Sequence, residues 1–561
     1  MIKISIPPLT DEWSFVLCDS LEKVFPAVAP TALNTEIPVV VFQGSRSGFQ
    51  VAFKPPRKVD RTRLEKLKFE VDTSHSLDAS VSSVELVPVV ITGPEEPDPH
   101  YLVTEPGLYP DLLIPQPDVG VQAIGGQWRA VWVELTAAAD APSEDRVLTV
   151  RVVGAKSNEL LATIHAPVRI VGVELPELEI DNAQWFHCDG LADFYGLDVF
   201  SEAHWAVIEK QMASSRRVSM NTILTPTWTP PLDTAVGGTR TATQLIGIAD
   251  QGGGSHQFDF SKLERWIGRC KQYGFRKLEI AHFFSQWGAE ATPAIYVDTP
   301  AGQEMRFGWH VAATSPQYRN FLEQLVPQLR AYLDAHWGIE NVLFHISDEP
   351  TKAHLEGYAK SRAQVADLLE GCVIVDAISD FELFQTGAVP YPIVANDNAQ
   401  PFLDAQVPLW LYYCVAQDTD VANRFISQPS TRSRIIGAQL FLTGAQGFLQ
   451  WGFNFYNSFH STRLIDPFKD TCAGNGFPGG DPFLVYPGPD GEVYESIRFK
   501  VFADAMNDLR AMELLRSQMG EEEVRNVVDP DSSITLTNFS YDPDHYRRVA
   551  NDLASRLLAN Q

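Results

Sequence analysis

From about residue 180 onwards the chain alternates short apolar segments with amphipathic helical segments. This alternation is typical of parallel βα units, in which the helices cover the faces of the sheet. Eight strand candidates can be counted: QWFHCDG, SMNTILTP, RKLEIAHF, NVLFHISDEP, CVIVDAISD, YPIVAND, LWLYYCVAQ and GFLQWGFNF. They predict a (β/α)8 TIM-type barrel, whose active site lies at the carboxyl ends of the strands.

The helical segments between these strands carry end signals. Ser315 and Pro316 are predicted to be the N-cap and the first residue of one helix. Ser261 and Glu264 are predicted to form a capping box at the start of another helix, which Gly274 terminates. The signals therefore support helices where the barrel requires them.

The region before the barrel is rich in short β segments separated by Pro, Gly and Asp clusters, which predicts an antiparallel β-sandwich. Long βα loops are expected at 225–258, 284–314 and 454–494, and they should wall a deep pocket. The C-terminal residues include GEEEVRNVV and HYRRVANDLASRLLANQ, which predict a short helical extension. The predicted domains are a β-sandwich at 1–175, a (β/α)8 catalytic domain at 176–520 and a C-terminal helical extension at 521–561.

The net charge of the chain is -27, which disfavours nucleic acid and anionic membrane surfaces as partners. A neutral carbohydrate fits better, and the aromatic content of 11% suits the binding of sugars. The first residues, MIKISIPPLTDEWSF, lack the features of a secretory signal, so a cytoplasmic location is expected. No feature predicts an oligomeric state.

The cysteines and histidines form no recognisable metal motif. The six cysteines include no CxxC pair, and the thirteen histidines include no HExxH motif. We therefore predict neither a metal site nor a cofactor.

The segment NVLFHISDEP places two acids, Asp348 and Glu349, at the end of an apolar strand. Successive side chains of a strand point to opposite faces, so both acids reach one cavity only if the chain leaves β geometry there. Pro350 favours an extended conformation at Glu349. The sequence therefore predicts a break in the strand at the two acids.

Two carboxyls in one partly dry pocket do not ionise equally, so one is expected to keep its proton and act as a general acid. Cleavage of a glycosidic bond needs such a division of labour. The alternative is that both acids stabilise the start of the following helix at TKAHLEGY, where negative charge is favourable.

Six motifs extend the pattern beyond the acids: WFHCDG, FHISDEP, LWLYYC, GFLQWGFNFYN, DPFLVYPG and SIRFKVFADAMNDL. Together they resemble the DUF4091 catalytic domain of glycoside hydrolase family 123 over roughly residues 180 to 515. The resemblance implies a β-N-acetylgalactosaminidase with an N-terminal β-sandwich and a (β/α)8 barrel. It also implies a substrate-assisted retaining mechanism, in which Glu349 is the general acid and base and Asp348 stabilises an oxazolinium intermediate.

Aromatic and polar residues near the strand ends are candidates for contact with the sugar. The predicted substrate-binding residues are Trp185, His187, Asp189, Trp228, Trp410, Tyr412, Trp451 and Asn454, and Trp287 is a further aromatic candidate. His345 lies within the fourth strand and is interpreted as a core histidine, and Arg498 is interpreted as one half of an ion pair that anchors a helix.

Two alternative functions remain open at this point. A glycosidase acting on a sugar without an acetamide would use a separate carboxylate, for which Asp376, Asp380 and Asp397 are candidates. A non-catalytic carbohydrate-binding protein could also use the same scaffold, because a fold alone does not establish activity.

Overall fold

The computed structural model describes residues 12–56, 66–286 and 288–560. Residues 1–11 and Trp287 lie outside the described residues. They include most of the segment on which the prediction of no secretory signal rests, and one of the aromatic candidates for sugar contact. The described part of the N-terminal region contains ten strands: β1 (Ser14–Cys18), β2 (Val39–Gln43), β3 (Arg46–Lys54), β4 (Lys66–Val71), β5 (Leu77–Val89), β6 (Gly107–Pro115), β7 (Val121–Gln122), β8 (Arg129–Ala137), β9 (Glu144–Gly154) and β10 (Leu160–Glu174).

These strands form two five-stranded sheets, in the orders β1-β3-β8-β5-β6 and β2-β10-β9-β4-β7. Val51 and Val131 of the first sheet and Val150 and Val168 of the second belong to one cluster of buried apolar side chains. The prediction of a purely antiparallel region is wrong at one place, because β2 and β10 pair in parallel. No hairpin joins these two strands, so no turn imposes an antiparallel direction on them.

Fourteen further strands follow among the residues that the structure describes: β11 (Asp181–Gln184), β12 (Thr222–Thr225), β13 (Gly247–Gly252), β14 (Ser255–Asp259), β15 (Lys277–Ile280), β16 (Ile295–Thr299), β17 (Gly302–Phe307), β18 (Val342–Phe344), β19 (Val373–Ile378), β20 (Tyr391–Ala395), β21 (Trp410–Tyr412), β22 (Gly447–Gln450), β23 (Tyr486–Pro487) and β24 (Val493–Tyr494). Eight of them close a barrel in the order β11-β12-β15-β18-β19-β20-β21-β22. All neighbouring pairs of the barrel are parallel, which confirms the predicted eight-stranded barrel.

The first barrel strand begins three residues earlier than predicted. Its sequence is the polar segment DNAQ, and all four residues are buried. Asn182 is accommodated because its side-chain amide donates to the Val218 carbonyl (2.9 Å) and its backbone N–H donates to Asn221 (2.8 Å). The apolar residues that follow therefore lie beyond the strand, at the end of the barrel where an active site is expected.

All three predicted long loops contain strands, and two of these loops share one sheet. The order β14-β13-β16-β17 forms a four-stranded sheet, and its central pair joins Ala249 to Asp298. This pairing links segments about 50 residues apart, so no local pattern could reveal it. The sheet is thus built from the loops that follow β12 and β15.

Twelve α-helices accompany the strands in the described part of the chain: α1 (Asp189–Tyr195), α2 (Glu202–Ser215), α3 (Ser261–Gln272), α4 (Pro316–His336), α5 (Leu355–Arg362), α6 (Phe381–Gln385), α7 (Gln400–Asp404), α8 (Thr431–Arg434), α9 (Ile436–Thr443), α10 (Ile497–Met519), α11 (Glu521–Val528) and α12 (Pro543–Ala559). Ser315 caps α4 as predicted, since its side chain accepts a hydrogen bond from the N–H of Tyr318. The capping box predicted at Ser261 is wrong, because Ser261 lies inside α3 and Asp259 accepts from both its N–H and its hydroxyl (2.9 Å each).

The last helix, α12, is tied to the N-terminal region. Arg547 donates to the carbonyls of Asn34 (2.9 Å) and Ile37 (2.6 Å), and the Asn551 side chain donates to the Pro38 carbonyl (2.9 Å). None of the helices within the described residues has the length and apolar character that crossing a lipid bilayer requires.

Candidate active site

A cavity of about 200 Å³ opens at the carboxyl end of the barrel. Side chains at or after seven of the eight barrel strands contribute to its wall. The lining residues are Trp185, Leu232, Asp233, Gln286, Asp348, Glu349, Ala377, Tyr412, Cys414, Val415, Leu449, Trp451, Phe459 and Phe477. The wall is therefore mostly apolar, with a small set of convergent polar groups, as is typical of a ligand site.

Asp348 and Glu349 both reach this cavity, because the chain leaves strand geometry after Phe344. Glu349 has a φ of 45°, in the left-handed region that non-glycine residues rarely adopt. The expected extended conformation at Glu349 is thus wrong. Such a conformation costs on the order of 1–3 kcal/mol and is found mainly at functional sites.

Each acid has a specific hydrogen-bond donor. Gln286 Nε2 donates to Asp348 Oδ2 (3.0 Å), and the Tyr412 hydroxyl donates to Glu349 Oε1 (2.6 Å). The N-cap of the following helical turn is Thr351, whose own N–H donates to His354 Nδ1 (3.3 Å). The alternative in which the two acids cap that helix is therefore wrong.

Burial raises the pKa of both carboxyls. The charge of Glu349 raises the pKa of Asp348 further, while the hydrogen bond from Gln286 opposes this change. For Glu349 the hydrogen bond from Tyr412 opposes the effect of burial. Because two adjacent buried carboxyls do not both ionise readily, the pair retains a proton at a pH where exposed carboxyls have lost theirs.

A buried network lies beside the acids. His345 Nε2 is 3.0 Å from Glu279 Oε1, and His345 Nδ1 is 3.5 Å from Asp376 Oδ1. Burial alone would lower the pKa of His345, but its two carboxylate partners outweigh burial and raise that pKa to about 9. Glu279 also accepts from the indole N–H of Trp185 (3.3 Å), so the network holds one wall of the cavity. His345 is thus a buried, hydrogen-bonded residue, in agreement with its interpretation as a core histidine.

Residues 185–515 match the family model of the glycoside hydrolase 123 catalytic domain. The match spans more than half of the 561 residues and includes every side chain that lines the cavity. The chain belongs to glycoside hydrolase family 123. The resemblance drawn from the six motifs is thereby confirmed at the level of the family.

The fold is also similar to that of a family 123 glycoside hydrolase from Clostridium perfringens that hydrolyses glycolipid glycans. The TM-score is 0.72 at 12% identity, over 98% of this chain and 99% of the other, so the likeness shows a shared fold. A β-glucuronidase from Ruminococcus gnavus aligns with a TM-score of 0.31 at 10% identity, over 90% of this chain and 98% of the other, which is too slight to indicate a common fold. No curated protein sequence matches the chain.

Three of the predicted substrate-binding residues line the cavity of this family 123 domain. They are Trp185, Tyr412 and Trp451. The indole N–H of Trp451 donates to Asp481 Oδ2 (2.9 Å), which fixes the ring in place. These three aromatic side chains therefore combine an apolar surface with a fixed orientation.

Two predicted tryptophans lie elsewhere. Trp228 is fully buried, and its indole N–H donates to the His282 carbonyl (2.8 Å). Trp410 is packed inside the barrel, where its ring occupies the space that a side chain at position 447 would need. Neither ring lines the cavity, so contact of these two residues with the sugar stays a prediction.

His187, Asp189 and Asn454 also do not line the cavity, and their role as substrate ligands stays a prediction. Asp189 forms a fully buried ion pair with Arg240 (2.6 Å), and Arg240 also donates to His187 Nδ1 (3.0 Å). His187 Nε2 donates to the Trp451 carbonyl (2.9 Å), and its backbone N–H donates to Asn454 Oδ1 (2.7 Å). Burial lowers the pKa of His187 to about 3, so this residue supports the wall as a neutral imidazole.

The three carboxylates proposed for a separate catalytic role do not line the cavity. Asp376 is buried with His345 and accepts from the Tyr358 hydroxyl (2.5 Å), Asp380 caps α6, and Asp397 accepts from Gln417 (3.1 Å). A third cavity-lining carboxylate does exist, but it is Asp233. Asp233, Gln286, Phe459 and Phe477 lie on irregular segments after the strands, where periodicity gives no signal.

One group of described side chains has the spacing of a metal site. Ligand atoms of His282, His345 and Asp376 lie within 4.8 Å of one another, and all three residues are buried. The raised pKa of His345 means that a metal would have to displace a proton held between two carboxylates. His345 and Asp376 belong to the hydrogen-bonded network, whereas neither ring nitrogen of His282 has a hydrogen-bond partner among the described residues.

Proposed function

We propose that the protein removes terminal β-linked N-acetylgalactosamine by a substrate-assisted retaining mechanism. The observation that carries this proposal is the Asp348–Glu349 pair, which reaches a loop-walled cavity within a family 123 domain. The small size of the cavity supports the removal of one terminal residue, and Trp185, Trp451 and Phe477 offer apolar surfaces for the sugar ring.

In the proposed reaction Glu349 donates its proton to the glycosidic oxygen, and the aglycone leaves with the bonding electron pair. The acetamido oxygen of the substrate attacks the anomeric carbon and forms an oxazolinium ion, while Asp348 accepts a hydrogen bond from the acetamido N–H. Glu349, now a carboxylate, then takes a proton from the water that opens the ring. No enzyme nucleophile is needed in this scheme.

Each of the two acids has its own hydrogen-bond donor in this scheme. The Tyr412 hydroxyl stabilises the carboxylate that Glu349 becomes when it gives up its proton. Gln286 holds Asp348 in place through its amide. Recognition of galactosamine rather than glucosamine, and location in the cytoplasm, remain predictions.

A second candidate is a glycosidase that uses two carboxyls and needs no acetamide. One observation favours it, namely that Asp233 lines the same cavity as the acid pair. In that case Asp233 would be the nucleophile or the base, and acetamide-free sugars would be substrates.

The test compares release of p-nitrophenol from the β-N-acetylgalactosaminide, the β-N-acetylglucosaminide and the plain β-galactoside. Glu349→Gln and Asp348→Asn are each expected to reduce kcat/KM for the first substrate by roughly 100- to 10,000-fold. Glu356→Gln is the matched control, because Glu356 is an exposed acid that forms an ion pair with Lys360 on the surface.

Turnover that depends on the acetamide and is lost in both variants supports the proposal. Hydrolysis of the plain galactoside at a similar rate would instead indicate the two-carboxyl mechanism. Wild-type protein that binds these sugars but cleaves none of them would indicate a carbohydrate-binding protein.

A further inference from the structure

We propose that Asp233 binds hydroxyl groups of the terminal sugar that take no part in bond cleavage, and that it thereby contributes to the choice of sugar. This inference rests on the proposed function, because it assigns a ligand to the same cavity. Asp233 lies on the loop after β12, whereas the acid pair follows β18. The two sets of carboxyls therefore reach the cavity from different loops.

Asp233 is held rigidly at the cavity by contacts with the loop after β22. Its Oδ2 accepts from the backbone N–H of His460 (3.0 Å), and its own carbonyl accepts from the Ser461 hydroxyl (2.6 Å). The backbone N–H of Ala235 donates to the His460 carbonyl (2.9 Å). Two loops from opposite ends of the barrel sequence are thus joined at this side chain.

The backbone at Asp233 is also in an uncommon conformation, with a φ of 42°. Aspartate tolerates the left-handed region better than most residues, but the conformation still has a cost of roughly 1 kcal/mol or more. The contacts with His460 and Ser461 maintain this conformation and aim the carboxyl at the cavity.

The other polar side chains of the described cavity wall have at least one partner each, although Gln286 Oε1 accepts no hydrogen bond from the described residues. Gln286 and Tyr412 donate to the acid pair, and the indole N–H groups of Trp185 and Trp451 donate to Glu279 and Asp481. No hydrogen-bond donor to Asp233 Oδ1 is found among the described residues. This oxygen is therefore available to a ligand.

A sugar enclosed in a mostly apolar cavity needs acceptors for its hydroxyl groups, because an unpaired buried hydroxyl is costly. A carboxylate can accept from more than one hydroxyl. Burial raises the pKa of Asp233 to about 6, so at neutral pH the group is a carboxylate. Phe459, next to His460, lines the same cavity and offers an apolar face to the ring.

The experiment combines Asp233→Asn with 3-, 4- and 6-deoxy derivatives of the p-nitrophenyl β-N-acetylgalactosaminide. Asparagine keeps the size of the side chain and tolerates the left-handed backbone. We expect Asp233→Asn to lower kcat/KM for the parent substrate by roughly 10- to 100-fold. With the wild type, kcat/KM for at least one deoxy substrate should be lower than for the parent substrate by a similar factor. With Asp233→Asn, removal of the same hydroxyl should lower kcat/KM little further.

Asp490→Asn is the matched control, because Asp490 also has a positive φ (52°) but is exposed on the surface. The proposal would be overturned if each of the three deoxygenations lowered kcat/KM by the same factor in Asp233→Asn as in the wild type. It would also be overturned if no deoxygenation changed the wild-type rate. The wild-type series needs no variant, so wild-type rates that no deoxygenation changes overturn the proposal even if Asp233→Asn does not fold. Rescue of Asp233→Asn by azide, with formation of a glycosyl azide, would also overturn it, because that result would make Asp233 the nucleophile.

If the wild type cleaves no glycoside, the proposed function fails but Asp233 can still be tested. Calorimetric binding of N-acetylgalactosamine and its deoxy forms to wild type and Asp233→Asn then replaces turnover. Binding that depends on one hydroxyl only when Asp233 is present would support the role of Asp233 on its own. Equal binding by both proteins would overturn it.

Discussion

Tyr412 links the end of β21 to one carboxyl of the acid pair. Its hydroxyl donates to Glu349 Oε1 and lies 3.1 Å from the Ser379 hydroxyl. This hydrogen bond holds the pKa of Glu349 lower than burial alone would set it. A single hydroxyl thus affects when the proposed general acid gives up its proton.

Tyr412→Phe should therefore raise the pKa of Glu349 further. The basic limb of the pH profile of kcat/KM is expected to move to higher pH, because Glu349 keeps its proton there. The rate at pH 7 should fall roughly 10-fold, because the Glu349 carboxylate loses a donor. Steady-state kinetics from pH 4 to pH 9 would measure both effects.

The matched control is Tyr413→Phe. Tyr413 is the next residue and is also buried, but its hydroxyl has no hydrogen-bond partner among the described residues. Its pH profile should match that of the wild type. An unchanged profile for Tyr412→Phe would argue against Glu349 as the proton donor.

At the level of elements, the first turn of each helix is stabilised by the side chain that accepts hydrogen bonds from its free backbone N–H groups. Ser315 accepts from the N–H of Tyr318 and so caps α4. Ser261 has no such role at the start of α3, where Asp259 accepts from the N–H and the hydroxyl of Ser261. Two serines that were both predicted to cap a helix therefore differ in their contribution.

Ser315→Ala is expected to destabilise the first turn of α4 by about 1 kcal/mol, because the Tyr318 N–H loses its acceptor. Ser261→Ala should change the first turn of α3 by much less. Hydrogen exchange followed by mass spectrometry on peptides from the two helix starts would compare them. Equal acceleration of exchange in both variants would contradict the assignment of the caps.

At the level of the whole molecule, buried ion pairs join the N-terminal sheets to the barrel. Arg498 of α10 pairs with Asp111 of β6 (2.8 Å), and both side chains are almost fully buried. Lys500 of the same helix pairs with Glu134 of β8 (2.8 Å). The interpretation of Arg498 as an ion-pairing residue is thus confirmed, and its partner belongs to the N-terminal region.

Arg498→Ala should destabilise the protein by roughly 3–5 kcal/mol, because Asp111 is left buried without its partner. Since the pair spans both regions, calorimetry is expected to show one unfolding transition at a lower temperature. Arg151→Ala is the control, because the Arg151–Glu70 pair is exposed and should contribute little. If calorimetry instead showed two transitions and the substitution lowered the temperature of only one, the two regions would unfold independently.

Some features of this protein follow from neighbouring residues alone. The eight parallel strands, the cap at Ser315 and the position of the two acids after the fourth strand were predicted from local patterns. Periodicity and end signals are properties of adjacent residues, so the sequence by itself determined them. The family motifs added the resemblance to family 123.

Other features depend on residues that meet only in the folded chain. Trp228 and Trp410 look like sugar platforms in the sequence, but packing places both rings in the core. Asp233 carries no local signal, and it reaches the cavity only because its loop is held by His460 and Ser461, more than 200 residues away. Contacts over such distances depend on how the whole barrel closes, so only the tertiary structure decided which side chains meet in the cavity.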